Sequence, residues 1–103
     1  MADRLEMLRQ MQAENPTDPF FAYAIALETG KNDAAEGIAK LKDLALNCPD
    51  YLPTYYQLAT WLYEVEKEQE ALAYLRTGAS VAMAQGEAKT LREINALMAE
   101  LSS

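Results

Sequence analysis

The most continuous hydrophobic pattern in the chain runs from residue 53 to residue 65 and has helical periodicity. Steps of three and four residues connect Tyr55, Leu58, Ala59, Leu62 and Val65, so the pattern predicts that these residues lie on one side of a helix and face a core. A second apolar stripe, formed by Tyr56, Thr60 and Tyr63, lies beside the first. A helix that is apolar around so much of its circumference is packed on several sides.

A charged break at residues 66–68 separates this helix from a second apolar pattern. The apolar side of the second helix consists of Ala71, Leu72, Leu75, Gly78, Ala79 and Ala82. Small residues at these positions allow two helix backbones to approach closely. The two segments are therefore predicted to form an antiparallel helical hairpin.

The same arrangement occurs earlier in the chain at a fixed offset. Residue pairs that are 34 positions apart are Pro19 and Pro53, Gly37 and Ala71, Ile38 and Leu72, and Leu41 and Leu75. A period of this size is typical of stacked helical repeats, in which each unit covers the apolar face of its neighbour.

The tetratricopeptide repeat family has the pattern W-x2-L-G-x2-Y, then A-x3-F, then P. The second copy here reads Tyr55-x2-Leu58-Ala59-x2-Leu62 and then Ala71-x3-Leu75. The first copy reads Phe20-x2-Tyr23-Ala24-x2-Leu27, then Gly37-x3-Leu41, with Pro49 eight residues later. The chain thus resembles a small, two-repeat tetratricopeptide protein of the bacterial type.

Both copies depart from the family pattern. The first has one extra residue, which we place in the inter-helix turn at residues 30–32, and the second has Met83 where the closing proline would fall. Neither has tryptophan in the leading position. An ordinary helical bundle with a chance period is the alternative interpretation.

The resemblance implies an all-α fold, a right-handed α-α superhelix of about six helices. We expect residues 1–103 to form a single domain with a capping half repeat at 3–15, a first repeat at 18–51, a second repeat at 52–86 and a C-terminal capping helix at 87–102. Local signals support these boundaries, because Asp3, Asp18 and Asp33 are suited to begin helices and Gly30 and Gly86 to end them.

Composition excludes several classes of function. The net charge is −7, and the nine Lys and Arg residues are scattered, so the sequence shows no basic face for nucleic acid or an anionic membrane. No apolar run approaches the ~20 residues that span a bilayer, and the amino terminus lacks the pattern of a secretory signal. One cysteine, Cys48, cannot form an internal disulfide. We therefore expect a cytoplasmic protein.

Reactive groups for catalysis are also missing from the sequence. There is no histidine, which excludes a Ser-His or Cys-His dyad and any histidine metal site. Cys48 has no basic neighbour in sequence and is interpreted as packing. The acidic run Glu64, Glu66, Glu68 and Glu70 is interpreted as a solvated turn. We expect neither an enzyme nor a cofactor nor a metal site.

In the tetratricopeptide family, the first helix of each pair lines a concave groove. By matching motif positions, the resemblance assigns to that groove Phe21, Ile25 and Glu28 in the first repeat and Tyr56, Thr60 and Tyr63 in the second. Some members hold a partner's carboxyl terminus with groove lysines, arginines and asparagines, but the corresponding positions here carry Phe21, Ala22, Ile25, Tyr56, Gln57 and Thr60. We therefore expect the groove to bind an apolar peptide or helical segment of a protein partner.

Two alternatives remain open for this surface. The C-terminal helix of the chain could occupy the groove, or the chain could self-associate as a homodimer in which a partner copy's terminal helix fills it. The role of Trp61, which lies between the core stripe and the polar edge of its helix, is also open between packing and contact with a partner.

Overall fold

The computed structural model describes residues 3–103, which form six helices and no strand. The helices are α1 (Arg4–Glu14), α2 (Pro19–Gly30), α3 (Ala34–Asn47), α4 (Pro53–Glu64), α5 (Glu68–Gln85) and α6 (Ala88–Ser102). The all-α fold class is confirmed. The chain divides into two compact units, one that reaches to Tyr51 and one that runs from Leu52 to Ser103.

Three helices of the first unit begin at an aspartate whose carboxylate accepts a backbone N–H, as the sequence predicts. The Oδ1 atoms of Asp3, Asp18 and Asp33 accept the N–H groups of Glu6, Phe20 and Glu36 at 2.8, 2.9 and 3.0 Å. Helix α2 also has proline at its first position, where a missing N–H removes no helical hydrogen bond.

In the first unit, α2 packs against both α1 and α3. Leu8 of α1 is buried together with Ala24 and Ile25 of α2, and the side chains of Leu5 and Phe21 pack against this cluster. On α3, the buried side chains are those of Ile38, Leu41 and Leu44. Apolar burial of this kind supplies most of the stability of short helices.

In the second unit, α5 packs against both α4 and α6. Its core contains the fully or almost fully buried side chains of Tyr55, Leu58, Ala59, Leu62, Leu75 and Ile94. The predicted core stripe of α4 is thus confirmed for its first four members. Val65, its fifth, is exposed, because α4 ends at Glu64 and Val65 begins the turn.

In the first copy, the residue that the motif assigns to the leading core position is not the one that packs on the core. Phe20, which the motif places in the large core position, is 49% exposed. Phe21 packs on the core instead, with its ring edge-on to Phe20 at a centroid distance of 5.4 Å. The reason is the helix register, since Phe21 and Tyr55 are each the third residue of a helix that begins at proline.

The first copy has no extra residue, so the expected insertion at residues 30–32 is wrong. The turns between the paired helices, 31–33 and 65–67, have equal length, and α2 and α4 each contain 12 residues. The apparent insertion arises because the motif aligns Phe20 with Tyr55, whereas the structure aligns Phe21 with Tyr55. Helix α4 is terminated by Glu66 at φ 63°, with the Lys67 N–H donating to the Leu62 carbonyl at 2.8 Å. Lys31, which follows the equally long α2, keeps right-handed helical torsions.

None of the helices in residues 3–103 combines the length and apolar character that a membrane-spanning segment requires.

Candidate functional site

Two tyrosines on one side of α4 form the most distinctive aromatic surface of the second unit. Tyr56 and Tyr63 are 41% and 46% exposed, and they are seven residues apart, which places them on the same side of a helix two turns from each other. Thr60 lies between them, and its hydroxyl donates to the Tyr56 carbonyl at 2.9 Å. We call Tyr56, Thr60 and Tyr63 the tyrosine face.

The residue next to this face belongs to the core. Tyr55 is 2% exposed, although it is adjacent to Tyr56 in sequence, because one residue turns a helix by about 100°. The backbone of α5 passes close to Tyr55 at Gly78. The tyrosine face is therefore held on a helix whose opposite side is fixed by close packing.

The C-terminal helix leaves the tyrosine face exposed. Helix α6 packs against α5, with Ile94 fully buried near Gly78. Tyr56 and Tyr63 keep their exposure with α6 in this position.

An acidic rim, which we define as Glu64, Glu66 and Glu68, follows the tyrosine face. Glu64 lies four residues after Thr60 and so borders the tyrosine face one helical turn further along α4. The three rim carboxylates are exposed, and among residues 3–103 none of them forms an ion pair. The nearby Lys67 is 3.9 Å from Glu70. The carboxyl end of α4 adds negative potential beside Glu64, because helix carbonyls point outward there, whereas Glu68 lies in the first turn of α5.

The first unit does not present an equivalent face. Ile25 is only 7% exposed and lies in the cluster with Leu8, so it offers no surface to a partner. Phe21 is half-buried on the same cluster. The Glu28 carboxylate is bound by Arg4 of α1 at 3.3 Å and by Lys31 at 2.9 Å. Helix α1 thus covers part of the side of α2 that corresponds to the tyrosine face.

A cleft of about 270 Å³ lies in the first unit between the ends of its three helices. Its charged and polar lining includes Asp18, Lys40, Asp43, Asn47 and the half-buried, free Cys48. These side chains do not form a recognisable nucleophile and base pair. Among residues 3–103, no three acidic or cysteine side chains are grouped as metal ligands.

The rings of Tyr23 and Tyr51 form an edge-on pair in the first unit, with centroids 5.7 Å apart. Burial raises the pKa of the Tyr23 hydroxyl above its ordinary value. Burial also raises the pKa of Tyr51, and the negative charges of ionised Tyr23 and of Asp18 raise it further. Both hydroxyls stay protonated at neutral pH, so the pair contributes packing and no acid-base chemistry.

Sequence reasoning placed Tyr56, Thr60 and Tyr63 on one stripe of α4 but missed two other features of the structure. The pairing of Arg4 with Glu28 joins residues that are distant in sequence and has no local signal. The exposure of Val65 follows from the helix end at Glu64, which the charged residues 66–68 could have indicated.

Trp61 is half-buried, which fits packing with a partly exposed edge.

Solved structures place the chain in a family. No family model matches the sequence, and no curated protein is significantly similar to it. The solution NMR structure of a tetratricopeptide repeat domain protein from Salinibacter ruber is 32% identical, has a TM-score of 0.79, and is matched over 88% of its length by 84% of this chain. A crystal structure of such a domain protein from the same organism is 31% identical, with a TM-score of 0.76, over 96% of that chain and 82% of this one.

The fold is also that of a Bordetella parapertussis protein solved in solution. The TM-score is 0.80 over 99% of this chain and 90% of that one, at 16% sequence identity, so this likeness concerns the fold alone. The repeated helical hairpins, the 34-residue period and the similarity to the Salinibacter ruber structures lead to one conclusion. The chain belongs to the tetratricopeptide repeat family.

Proposed function

We propose that the chain is a non-catalytic protein-interaction module that binds an apolar peptide or helical segment of a partner on its tyrosine face. The observation that carries the proposal is the joint exposure of Tyr56 and Tyr63 on α4 while α6 packs against α5. In the tetratricopeptide family, these positions line the concave groove. Domains of this family generally mediate interactions between proteins.

The chemistry of the tyrosine face suits a surface that is exposed to solvent in the free protein and buried in a complex. A tyrosine ring buries a large apolar area and its hydroxyl keeps a hydrogen-bond partner. Tyrosine is also enriched among the residues that dominate interface energies. The rigid attachment of α4 through the buried Tyr55 keeps the entropic cost of ordering this surface low.

The first unit has a smaller role in this proposal. Phe21 and Glu28 occupy the corresponding family positions, but Phe21 is half-buried and Glu28 is engaged by two cations. Ile25 is assigned to the core. A cytoplasmic adaptor role is part of the proposal and agrees with the free cysteine at position 48.

Selection of binding peptides from a displayed random library tests the proposal. The selected peptides are expected to be rich in apolar residues and to bind the double variant Tyr56→Ala/Tyr63→Ala at least about tenfold more weakly, since interface hot spots contribute 2 kcal/mol or more each. The double variant should unfold at nearly the same denaturant concentration as the parent, because both rings are exposed.

A matched control removes exposed apolar side chains elsewhere. The control variant Leu46→Ala/Met83→Ala loses two exposed apolar residues outside the tyrosine face and should bind the selected peptides as the parent does. Peptides that bind all three proteins equally would contradict the proposed site. A large stability loss in the tyrosine variant would show instead that the two rings belong to the core.

Self-association is the second candidate function, in which a terminal helix of one copy fills the tyrosine face of another. The exposed methionines Met7 and Met11 on one side of α1 favour it, because they offer an apolar helical surface. Sedimentation velocity across a concentration series tests it. A dimer that dissociates when Tyr56 and Tyr63 are replaced by alanine is the expected result for this function, and a monomer at all concentrations excludes it.

A further inference from the structure

We infer that the partner segment carries lysine or arginine residues next to its apolar anchor, so that the tyrosine face and the acidic rim bind it together. This inference rests on the proposed function and adds the chemical class of the ligand. It comes from the charge distribution around Tyr56 and Tyr63 in the second unit.

The acidic rim lies at the C-terminal end of the tyrosine face, so a segment bound along α4 would extend over it. Glu64 follows Thr60 by one helical turn and borders the tyrosine face, and the Glu66 N–H donates to the Tyr63 carbonyl at 3.0 Å. Within residues 53–70, the charged side chains are Glu64, Glu66, Lys67, Glu68 and Glu70. Four carboxylates against one ammonium give this end of the surface a net negative charge.

The rim carboxylates are available to an external cation. Each of the three is exposed, and none is in an ion pair within residues 3–103. The single cation of this stretch, Lys67, is directed to Glu70. Of the three, Glu64 lies at the carboxyl end of α4, where its charge is repelled by the helix carbonyls and a bound cation would relieve that repulsion.

A second copy of the chain fits this surface poorly. Its exposed methionines on α1 are Met7 and Met11, but Arg9 is two residues from each and so points to the other side of the helix. Arg4 is already paired with Glu28. Two copies with a net charge of −7 each also repel one another at low salt. A basic, apolar segment of another protein is therefore the better occupant.

Three designed peptides test the charge preference directly. They share one length, a fluorescein label and leucines spaced i, i+3, i+7, and they carry lysine, glutamine or glutamate at all other positions. Fluorescence anisotropy gives Kd for each peptide at 20 and 150 mM NaCl. The lysine peptide is expected to bind most tightly and the glutamate peptide most weakly, with the difference smaller at 150 mM because salt screens exposed charges.

Variants locate the preference on the acidic rim. Glu64→Gln/Glu66→Gln should weaken binding of the lysine peptide roughly 3- to 20-fold, as expected for two exposed ion pairs, and leave the glutamine peptide unchanged. Glu14→Gln/Glu93→Gln is the control, because it removes two exposed carboxylates elsewhere and the same net charge. The control should change Kd less than twofold at 150 mM NaCl.

The outcomes separate this inference from the proposed function. Equal binding of the lysine and glutamine peptides, or an equal loss in the rim and control variants, overturns the charge preference. If Tyr56→Ala/Tyr63→Ala leaves the binding of every peptide unchanged, the tyrosine face is not the site and the proposed function fails. If both the lysine and glutamine peptides need the tyrosines but bind alike, the charge inference alone is wrong.

Discussion

Gly78 of α5 lies directly against Tyr55 of α4. A Cβ atom at position 78 would be 2.7 Å from the Tyr55 Cβ and 3.2 Å from both the Tyr55 Cγ and the Ile94 Cδ1. The missing side chain therefore allows α5 to pass close to α4 and α6. This close contact fixes the orientation of α4, in which Tyr55 faces the core and Tyr56 faces solvent.

The substitution Gly78→Ala is expected to lower the free energy of unfolding by about 1–3 kcal/mol, because overpacking forces the surrounding backbone to shift. Urea denaturation followed by circular dichroism measures the change. The reverse exchange Ala73→Gly on the exposed side of α5 serves as the control and should cost about 1 kcal/mol through helix propensity alone. A stabilised Gly78→Ala protein would show that the helices are not in close contact at this position.

Leu41 and Leu75 are expected to contribute similarly to the free energy of unfolding, since they are 34 residues apart and neither is exposed to solvent. Leu41→Ala and Leu75→Ala should each lower the free energy of unfolding by about 2–5 kcal/mol, through lost transfer energy and the cavity that remains. Leu46→Ala, at a strongly exposed position of α3, should change it by less than about 0.5 kcal/mol. Thermal and urea unfolding of the three variants check the equivalence.

The substitution Thr54→Val is expected to stabilise the protein. The Thr54 side chain is fully buried near the start of α4, and its hydroxyl has no hydrogen-bond partner within residues 3–103. An unpaired buried hydroxyl costs roughly 1–3 kcal/mol, so replacing it by a methyl group should raise the free energy of unfolding by about 1 kcal/mol. Thr77→Val, at an exposed position, is the control. A loss of stability at position 54 would reveal a hydrogen bond there.

The stability of the chain should depend on pH above the ordinary tyrosine range. The pKa values of Tyr23 and Tyr51 are raised in the folded chain, so the folded state keeps protons that the unfolded chain loses above about pH 10. The stabilisation that the two protonated tyrosines give the folded chain is complete below that pH and is lost as the pH rises through their pKa values in the folded chain. Urea melts from pH 8 to 11 should show the decrease, and Tyr23→Phe/Tyr51→Phe should make it smaller.

Much of the fold could be predicted because its signals are local. The carboxylates of Asp3, Asp18 and Asp33 begin helices where the sequence indicates, since a cap depends on residues two or three positions away. The 34-residue period identified the paired helices. The motif, aligned at Phe20, wrongly indicated an extra residue in the first copy, because it does not show that Phe21 is the third residue of its helix, as Tyr55 is of α4.

The candidate site could be predicted only in part. The exposure of Tyr56 and Tyr63 follows from their position beside the core stripe. Ile25 is buried against Leu8 of α1, and the Glu28 carboxylate is paired with Arg4 of the same helix. Both partners come from a different helix, so the local sequence around Ile25 and Glu28 does not reveal them. The motif alone placed Phe20 and Phe21 one position out of register, since it does not take account of where the helix begins.

The helix pairs that pack most extensively are all neighbours along the chain: α1 with α2, α2 with α3, α4 with α5, and α5 with α6. Closing such contacts requires only short loops, so little chain entropy is lost before the apolar side chains meet. A protein of this kind has a low contact order and should refold within microseconds to milliseconds. Hairpin formation can begin in either half of the sequence without waiting for the other.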